Sequence, residues 1–144
     1  MIAVDTNVLV HAHRAESPWH LKAAERLKGL AEGRASWAIP WPCVHEFLSK
    51  VTHARIFVPP TQPQLALAFL EALAESPVLS FLAEGEGHLQ RLRELVLIGR
   101  IEGARVHDAR IAAICLENAV EELWTADRDF GRFPQLRVRN PLID

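Results

Sequence analysis

The stretch MIAVDTNVLVHAH, residues 1–13, places a carboxylate inside an apolar segment. Residues 2–4 predict a short buried strand, and the apolar run resumes in a helix that we expect over 8–15. Asp5 lies between the two, at the end of the strand. A charge removed from water without a partner costs several kcal/mol or is neutralised by a shift of its pKa. Asp5 therefore predicts a partner elsewhere in the chain.

The composition indicates one domain, residues 1–144, without a membrane segment. About half of the residues are hydrophobic (49%) and the formal net charge is −2. No stretch approaches the roughly 18 apolar residues of a membrane span, and residues 1–30 lack the pattern of a secretory signal, so we expect a cytoplasmic protein. Cys43 and Cys115 lie in apolar segments without metal-ligand spacing, which predicts reduced core residues.

Short apolar segments alternate with segments of helical periodicity along the chain. Strands are predicted at 2–4, 35–40, 77–82, 122–127 and 136–143. Helices are predicted at 8–15, 19–33, 41–56, 61–75, 87–100 and 107–120. Ser17 and Pro18 are expected to start the second helix, with Leu21, Ala24, Leu27 and Leu30 on its buried face. This alternation predicts the α/β class, with a parallel sheet covered by helices on both faces as an α/β/α sandwich.

Acidic residues cluster where the predicted strands end. Asp5 ends the first strand, and Asp127 ends the fourth with Asp129 two residues later. Glu46 follows the second strand, early in its helix, and Asp108 opens the helix before the fourth. Taken singly, Asp108 is compatible with an N-cap, Glu46 with a solvated helix face and Asp127 with a turn. Because ligands of open α/β sheets bind at the carboxyl ends of the strands, convergence at that edge gives all five a function.

Carboxylates brought together need a cation between them. Two like charges about 4 Å apart repel by roughly 4 kcal/mol at an effective dielectric constant near 20. Oxygen ligands without cysteine or histidine suit Mg²⁺ or Mn²⁺ better than zinc. Such a site beside a phosphodiester can activate water and stabilise the leaving oxygen. The sequence thus predicts that Asp5 is a metal ligand in a phosphodiester-cleaving site.

Four motifs together resemble the PIN domain, in particular the VapC-type ribonuclease toxins of bacterial toxin–antitoxin pairs. The motifs are VDTNVLV (4–10), CVHEFLS (43–49), VHDARIAAICLENAV (106–120) and LWTADRDFGRFPQLRVRNPL (123–142). Their order and the chain length agree with that family over nearly the whole sequence. The resemblance implies a PIN-like fold in which Asp5, Glu46, Asp108 and Asp127 bind Mg²⁺ or Mn²⁺ and hydrolyse RNA.

The same resemblance implies supporting residues and partners. Thr6 and Asn7 are expected to hold Asp5, Thr125 to hold Asp127, and Asp129 either to reach the metal through water or to remain outside the site. A homodimer and a cognate antitoxin that occupies the acidic groove are further expectations. Arginine forks match phosphate oxygens, so the arginines nearest to these acids in sequence are candidates for RNA binding: Arg105, Arg110 and Arg128.

Two other interpretations stay open at this point. A catalytically silent PIN-like module could bind a partner through its tryptophans, which are Trp19, Trp37, Trp41 and Trp124. The second interpretation is another metal-dependent phosphohydrolase. Haloacid-dehalogenase-type phosphatases need an acid at the position of Asn7, which cannot serve as one. His-Asp phosphohydrolases, which His107 and Asp108 would suggest, are all-helical, whereas this sequence predicts strands. His11 and His13 stand two apart on a helix and so face different directions, which disfavours a metal site there.

Overall fold

A five-stranded parallel sheet forms the centre of the protein in a computed structural model that describes residues 1–144. The strands are β1 (Ile2–Val4), β2 (Trp37–Pro40), β3 (Leu79–Leu82), β4 (Glu122–Trp124) and β5 (Val138–Arg139). The helices are α1 (Thr6–His13), α2 (His20–Glu32), α3 (Trp41–Val51), α4 (Pro63–Ala74), α5 (His88–Gly99) and α6 (Val106–Glu117). Two short 3-10 turns lie at Gly103–Arg105, directly before α6, and at Arg128–Arg132, after β4.

The strand order β3-β2-β1-β4-β5 divides the helices between two faces of the sheet. The chain moves outward from β1 to β3 through α1–α4, then returns across the sheet to β4 through α5 and α6. Because parallel crossovers are right-handed, the two directions place their helices on opposite faces. In agreement, α1 packs on α2 and α3, α3 packs on α4, and α5 packs on α6. The predicted α/β/α sandwich is confirmed, and the order reverses between β1 and β4.

Several element boundaries differ from the prediction. Helix α2 starts at His20 rather than at Pro18, because the Ser17 hydroxyl accepts a hydrogen bond from the Trp19 amide in a separate turn. Leu21 then lies on the outer side with 82% of its surface exposed. Leu27 is buried and Leu30 is partly buried against the core, as predicted, and Ala23 is the second buried position. Packing against α1 thus decides the inner face, and the prediction from leucine spacing was wrong at Leu21.

The ends of α3 and of the last strand are also shorter than predicted. Helix α3 stops at Val51, and the segment up to Phe57 forms turns. Strand β5 has only two residues, since Pro141 interrupts the segment that was expected to continue it. These differences move no acidic residue away from the carboxyl edge.

The core fills both sides of the sheet. All four residues of β2 are buried, as expected for a strand covered on both faces. Cys43 and Cys115 are free and buried, as predicted. Of the four tryptophans, Trp37 and Trp124 belong to the core. None of the helices has both the length and the apolar character that crossing a membrane requires.

Candidate active site

Asp5 is buried at the end of β1, and hydrogen-bond donors surround its carboxylate. Oδ1 accepts from the Thr6 amide at 2.8 Å and from the Cys43 thiol at 3.5 Å. Oδ2 accepts from Thr125 Oγ1 at 2.7 Å and from Asn7 Nδ2 at 3.0 Å. Burial nevertheless raises the pKa of Asp5 above its usual value, because these hydrogen bonds only partly replace the lost water. The immediate partners of this buried acid are therefore neutral donors.

The same hydrogen bonds join the end of β1 to the loop after β4. Asn7 Nδ2 donates to Thr125 Oγ1 at 2.9 Å, and Asn7 Oδ1 accepts from the Ala126 amide at 2.9 Å. Thr125 Oγ1 also accepts from the Asp127 amide at 3.0 Å. Thr125 thus contacts the carboxylate of Asp5 and only the backbone of Asp127. Thr6 acts through its amide, while its own hydroxyl oxygen is buried without a partner.

Three acids form the tightest cluster at this edge. One carboxylate oxygen from each of Asp108, Asp127 and Asp129 lies within 4.8 Å of the others. Asp108 comes from the first turn of α6, and the other two come from the 3-10 turn after β4. Asp127 caps that turn, because its Oδ1 accepts from the Asp129 amide at 2.8 Å. This cap turns both side chains of the pair toward Asp108.

The three carboxylates repel one another, which indicates that the cluster needs a cation. The pKa of Asp108 rises to about 6, first because of partial burial and then because of the negative charges of Asp127, Asp5, Glu46 and Asp129. A divalent cation would relieve that repulsion, and three carboxylates within 4.8 Å provide the oxygen ligands that Mg²⁺ and Mn²⁺ prefer. The donor set therefore fits a divalent metal ion.

Asp5 and Glu46 lie outside the three-acid cluster but close to it. Both are near enough to raise the pKa of Asp108 through their charge. Glu46 is half-exposed and pairs with Lys50 one helical turn later, at 2.8 Å. The structure thus brings Asp129 into the cluster, although it was predicted to have only a supporting role. Its signal was the Asp-x-Asp spacing of residues 127–129, which lets one carboxylate cap the turn that carries the other.

Two clefts open on either side of the acids. The first has a volume of about 330 Å³ and is lined by Pro42, His45, Glu46, Ala104, His107, Asp108, Arg110 and Ile111. The second has a volume of about 470 Å³ and includes Trp19, Thr125, Asp127, Arg128 and Asn140.

The three candidate arginines occupy different positions around these clefts. Arg105 Nη2 lies 3.8 Å from Asp129 Oδ2, and its Nη1 is buried without a hydrogen-bond partner. Arg110 lines the first cleft, and its Nε donates to Glu84 Oε1 at 2.5 Å. Arg128 is exposed at the second cleft. Of the three, only Arg105 forms an ion pair with an acid of the cluster.

Known proteins resemble this chain in sequence and in fold. Residues 2–136 match the PIN domain family. The chain belongs to the PIN-domain family. This PIN domain is 39% identical over 142 residues to VapC ribonuclease Mb2897 of Mycobacterium bovis and to ribonuclease VapC43 of Mycobacterium tuberculosis, which covers 99% of this chain and 96% of each relative. Ribonuclease VapC25 of Mycobacterium tuberculosis is 34% identical over 145 residues, 99% of this chain and 100% of that relative.

Solved structures share the fold of this PIN domain at lower identity. VapBC2 from Rickettsia felis, solved with a DNA fragment of its promoter, superposes with a TM-score of 0.70 and 20% identity, covering 97% of this chain and 98% of that one. VapC20 of Mycobacterium tuberculosis, a toxin that cleaves the sarcin-ricin loop, gives a TM-score of 0.66 and 17% identity over 91% of this chain and 93% of its own. The PIN-like fold expected from the motifs is confirmed.

Proposed function

We propose that this PIN domain is a metal-dependent endoribonuclease and the toxin of a type II toxin–antitoxin pair. The observation that carries the proposal is the cluster of Asp108, Asp127 and Asp129 at the point where the strand order reverses. Ligand sites of open α/β sheets lie at such switch points. The identity of 39% to relatives named as ribonucleases supports the same reaction class.

Asp108, Asp127 and Asp129 would hold the metal ion directly, with Asp5 and Glu46 as the remaining predicted ligands. Mg²⁺ is the expected ion and Mn²⁺ its substitute, because all donors are carboxylate oxygens. When bound, such an ion supplies positive charge for a phosphate and lowers the pKa of water. Hydrolysis by an activated water leaves a 5′-phosphate and a 3′-hydroxyl.

The chain's own residues have positioning tasks in this reaction. The hydrogen bonds of Asn7 and Thr125 keep Asp5 and the loop of Asp127 in register. Arg105, whose Nη2 lies 3.8 Å from Asp129 Oδ2 and whose side chain is 41% exposed, is placed to bind a phosphate oxygen beside that acid. A charge-assisted hydrogen bond from a guanidinium to phosphate is about twice as strong as a neutral one. Arg110 and Arg128 extend the cationic surface into the two clefts.

The partners of this protein follow from the proposed toxin role. A cognate antitoxin is expected to cover the acidic edge, and VapBC structures are among those that share the fold. We further propose a homodimer, a cytoplasmic location where its RNA is found, and a single functional domain over residues 1–144. The last point is supported by one cluster of 32 buried core residues, in which both faces of the sheet take part.

The test is cleavage of purified transfer and ribosomal RNA by the isolated protein. Discrete fragments with Mg²⁺ or Mn²⁺, absent with EDTA, are expected. Asp108→Asn should lower the rate on the order of 100-fold or more, because one metal ligand is lost. Glu71→Gln, at an exposed position of α4, is the matched control and should cleave normally. Fragments ending in 2′,3′-cyclic phosphate would contradict hydrolysis by water.

A silent binding module is the second candidate, favoured by the half-exposed Trp19 and Trp41. The same assay separates the two functions. Metal-independent RNA or protein binding, unchanged in Asp108→Asn and without fragments, would support the binding module.

A further inference from the structure

A row of three aromatic rings lies beside the first cleft. Trp41, the first residue of α3, stacks on Phe81 of β3 with ring centroids 4.7 Å apart and an interplanar angle of 23°. The His45 ring lies 6.3 Å from Trp41, also at 23°. His45 lines the cleft that contains Glu46 and Asp108. The aromatic row therefore leads from the edge of the sheet to the acids.

Trp41 differs from the tryptophans that serve the core. Trp37 is fully buried and donates its indole N–H to Ser76, and Trp124 is nearly buried and donates to Glu122. Trp41 keeps 41% of its surface exposed. The rings of Phe81 and His45 both lie nearly parallel to it, with centroids 4.7 and 6.3 Å away, so the orientation of the Trp41 ring is held before any ligand arrives. Packing alone does not require such an exposed ring.

We propose that Trp41, together with His45, forms a stacking site for one base of single-stranded RNA next to the acid cluster. The assignment of RNA as ligand rests on the proposed function. Protein sites for single strands combine aromatic faces for the bases with cationic groups for the backbone. Both are present here, because Arg110 lines the same cleft as His45. The base that flanks the cleaved bond on this side is thus bound by stacking.

The chemistry of the site favours a base over other occupants. The His45 ring in the wall of a polar, acid-lined cleft, with the Trp41 ring next to it, suits a ligand that is flat at one end and anionic at the other. A nucleotide has both parts, with its phosphate near the metal-binding acids and Arg110. Stacking accepts any base, so this site sets the position of the strand and contributes only a modest base preference.

The experiment compares two fluorescein-tagged RNA hexamers, oligo(A) and an abasic chain with the same number of phosphates. Affinity is measured by anisotropy in Ca²⁺, which neutralises the carboxylates. The wild-type protein should bind oligo(A) about 5- to 150-fold more tightly than the abasic chain, and Trp41→Ala should lose that difference. Trp41→Phe should retain most of it, because a ring remains on Phe81.

Leu97→Ala, at an exposed position of α5, is the control and should preserve the full difference. Equal binding of both hexamers by the wild-type protein, or an unchanged difference in Trp41→Ala, would overturn the stacking site. If Trp41→Ala fails to fold by circular dichroism, the wild-type comparison and Trp41→Phe still decide. RNA cleavage by the wild-type protein is measured separately. Base-dependent binding without cleavage would contradict only the proposed nuclease activity. Cleavage without base-dependent binding would contradict only the stacking site.

Discussion

Thr125 is the residue whose hydroxyl joins the two halves of the site. It donates to Asp5 and accepts from Asn7 and from the amide of Asp127. Thr125→Val keeps the shape but leaves these buried groups unsatisfied, so we expect a loss of about 2 kcal/mol in the free energy of unfolding. RNA cleavage should fall at least tenfold, since the loop of Asp127 loses its anchor.

Urea denaturation and initial cleavage rates measure both effects. Thr125→Ser restores the hydroxyl and should recover most of the stability and activity. A Thr125→Val protein with wild-type stability would contradict the predicted contribution of the threonine hydroxyl.

Asp108 makes stability depend on pH in the absence of metal. Its pKa in the folded protein is about 6, above the usual 3.8, so the folded state holds a proton that the unfolded state has released between these values. The free energy of unfolding should therefore fall as the pH rises from about 4 to about 6, then level off. Asp5 adds a change of the same sign, because its pKa is also raised.

Asp108→Asn removes this source of repulsion. The variant should be more stable than the wild type at pH 7 by about 1 kcal/mol, a figure discounted because the side chain is half-exposed and water screens the charges. Thermal melts in EDTA at pH 4.5, 5.5 and 7 measure the trend. Parallel stability curves for the two proteins would contradict the raised pKa.

At the residue scale, the sequence allowed the acidic residues of the site to be identified, but not the side chains that they contact. The apolar flanks of Asp5 predicted its burial correctly. The identity of its nearest partners depends on register between β1 and β4, which pairs Val4 with Trp124 and so brings Thr125 and Asn7 together. Side chains 118 positions apart in sequence cannot be paired from local pattern alone.

Strand β5 is a two-residue edge strand that depends on one buried acid. Glu122 of β4 accepts from the Trp124 indole at 2.9 Å and pairs with Arg137 Nε at 2.9 Å. Glu122→Ala leaves the buried indole N–H unpaired and should cost about 2 kcal/mol. The Leu123 and Thr125 amides, which donate to β5 carbonyls, should then exchange with deuterium faster.

Arg137→Ala provides the comparison for this strand. Its side chain is 78% exposed, so its loss should cost only about 0.5 kcal/mol. Equal destabilisation by the two variants would mean that the ion pair, rather than the indole hydrogen bond, anchors β5.

The order of the helices and strands was predictable because hydrophobic periodicity and the residues that start or end helices agree through most of the chain. Pro42 marks the start of α3 because its ring fixes φ near the helical value, and Gly33 marks the end of α2 because a Cβ there would lie 2.8 Å from the Gly29 carbonyl oxygen. The errors occurred where tertiary packing decides, as at Leu21 and at the end of α3. The stacking of Trp41 on Phe81 required the β2–β3 register as well, which the sequence does not contain.

At the scale of the whole molecule, a fold without net positive charge has to bind a polyanion locally. The formal net charge is −2, and acids occupy the centre of the proposed RNA path. Binding therefore depends on metal to convert the acid cluster from repulsive to attractive, with arginines on either side. Metal binding and RNA binding are thus expected to be coupled in this protein.

The same coupling predicts that metal stabilises the whole fold. A ligand that binds only the folded state at 100 times its dissociation constant adds about 2.7 kcal/mol, which corresponds to roughly 5–10 °C in Tm for a chain of this size. Mg²⁺ at pH 8 should raise the Tm by this amount relative to EDTA. Asp127→Asn should lose most of the shift, whereas Glu71→Gln should retain it, because only Asp127 belongs to the three-acid cluster. A Mg²⁺ shift of equal size in Asp127→Asn would place the ion elsewhere on the molecule and remove the electrostatic basis for RNA binding at this edge.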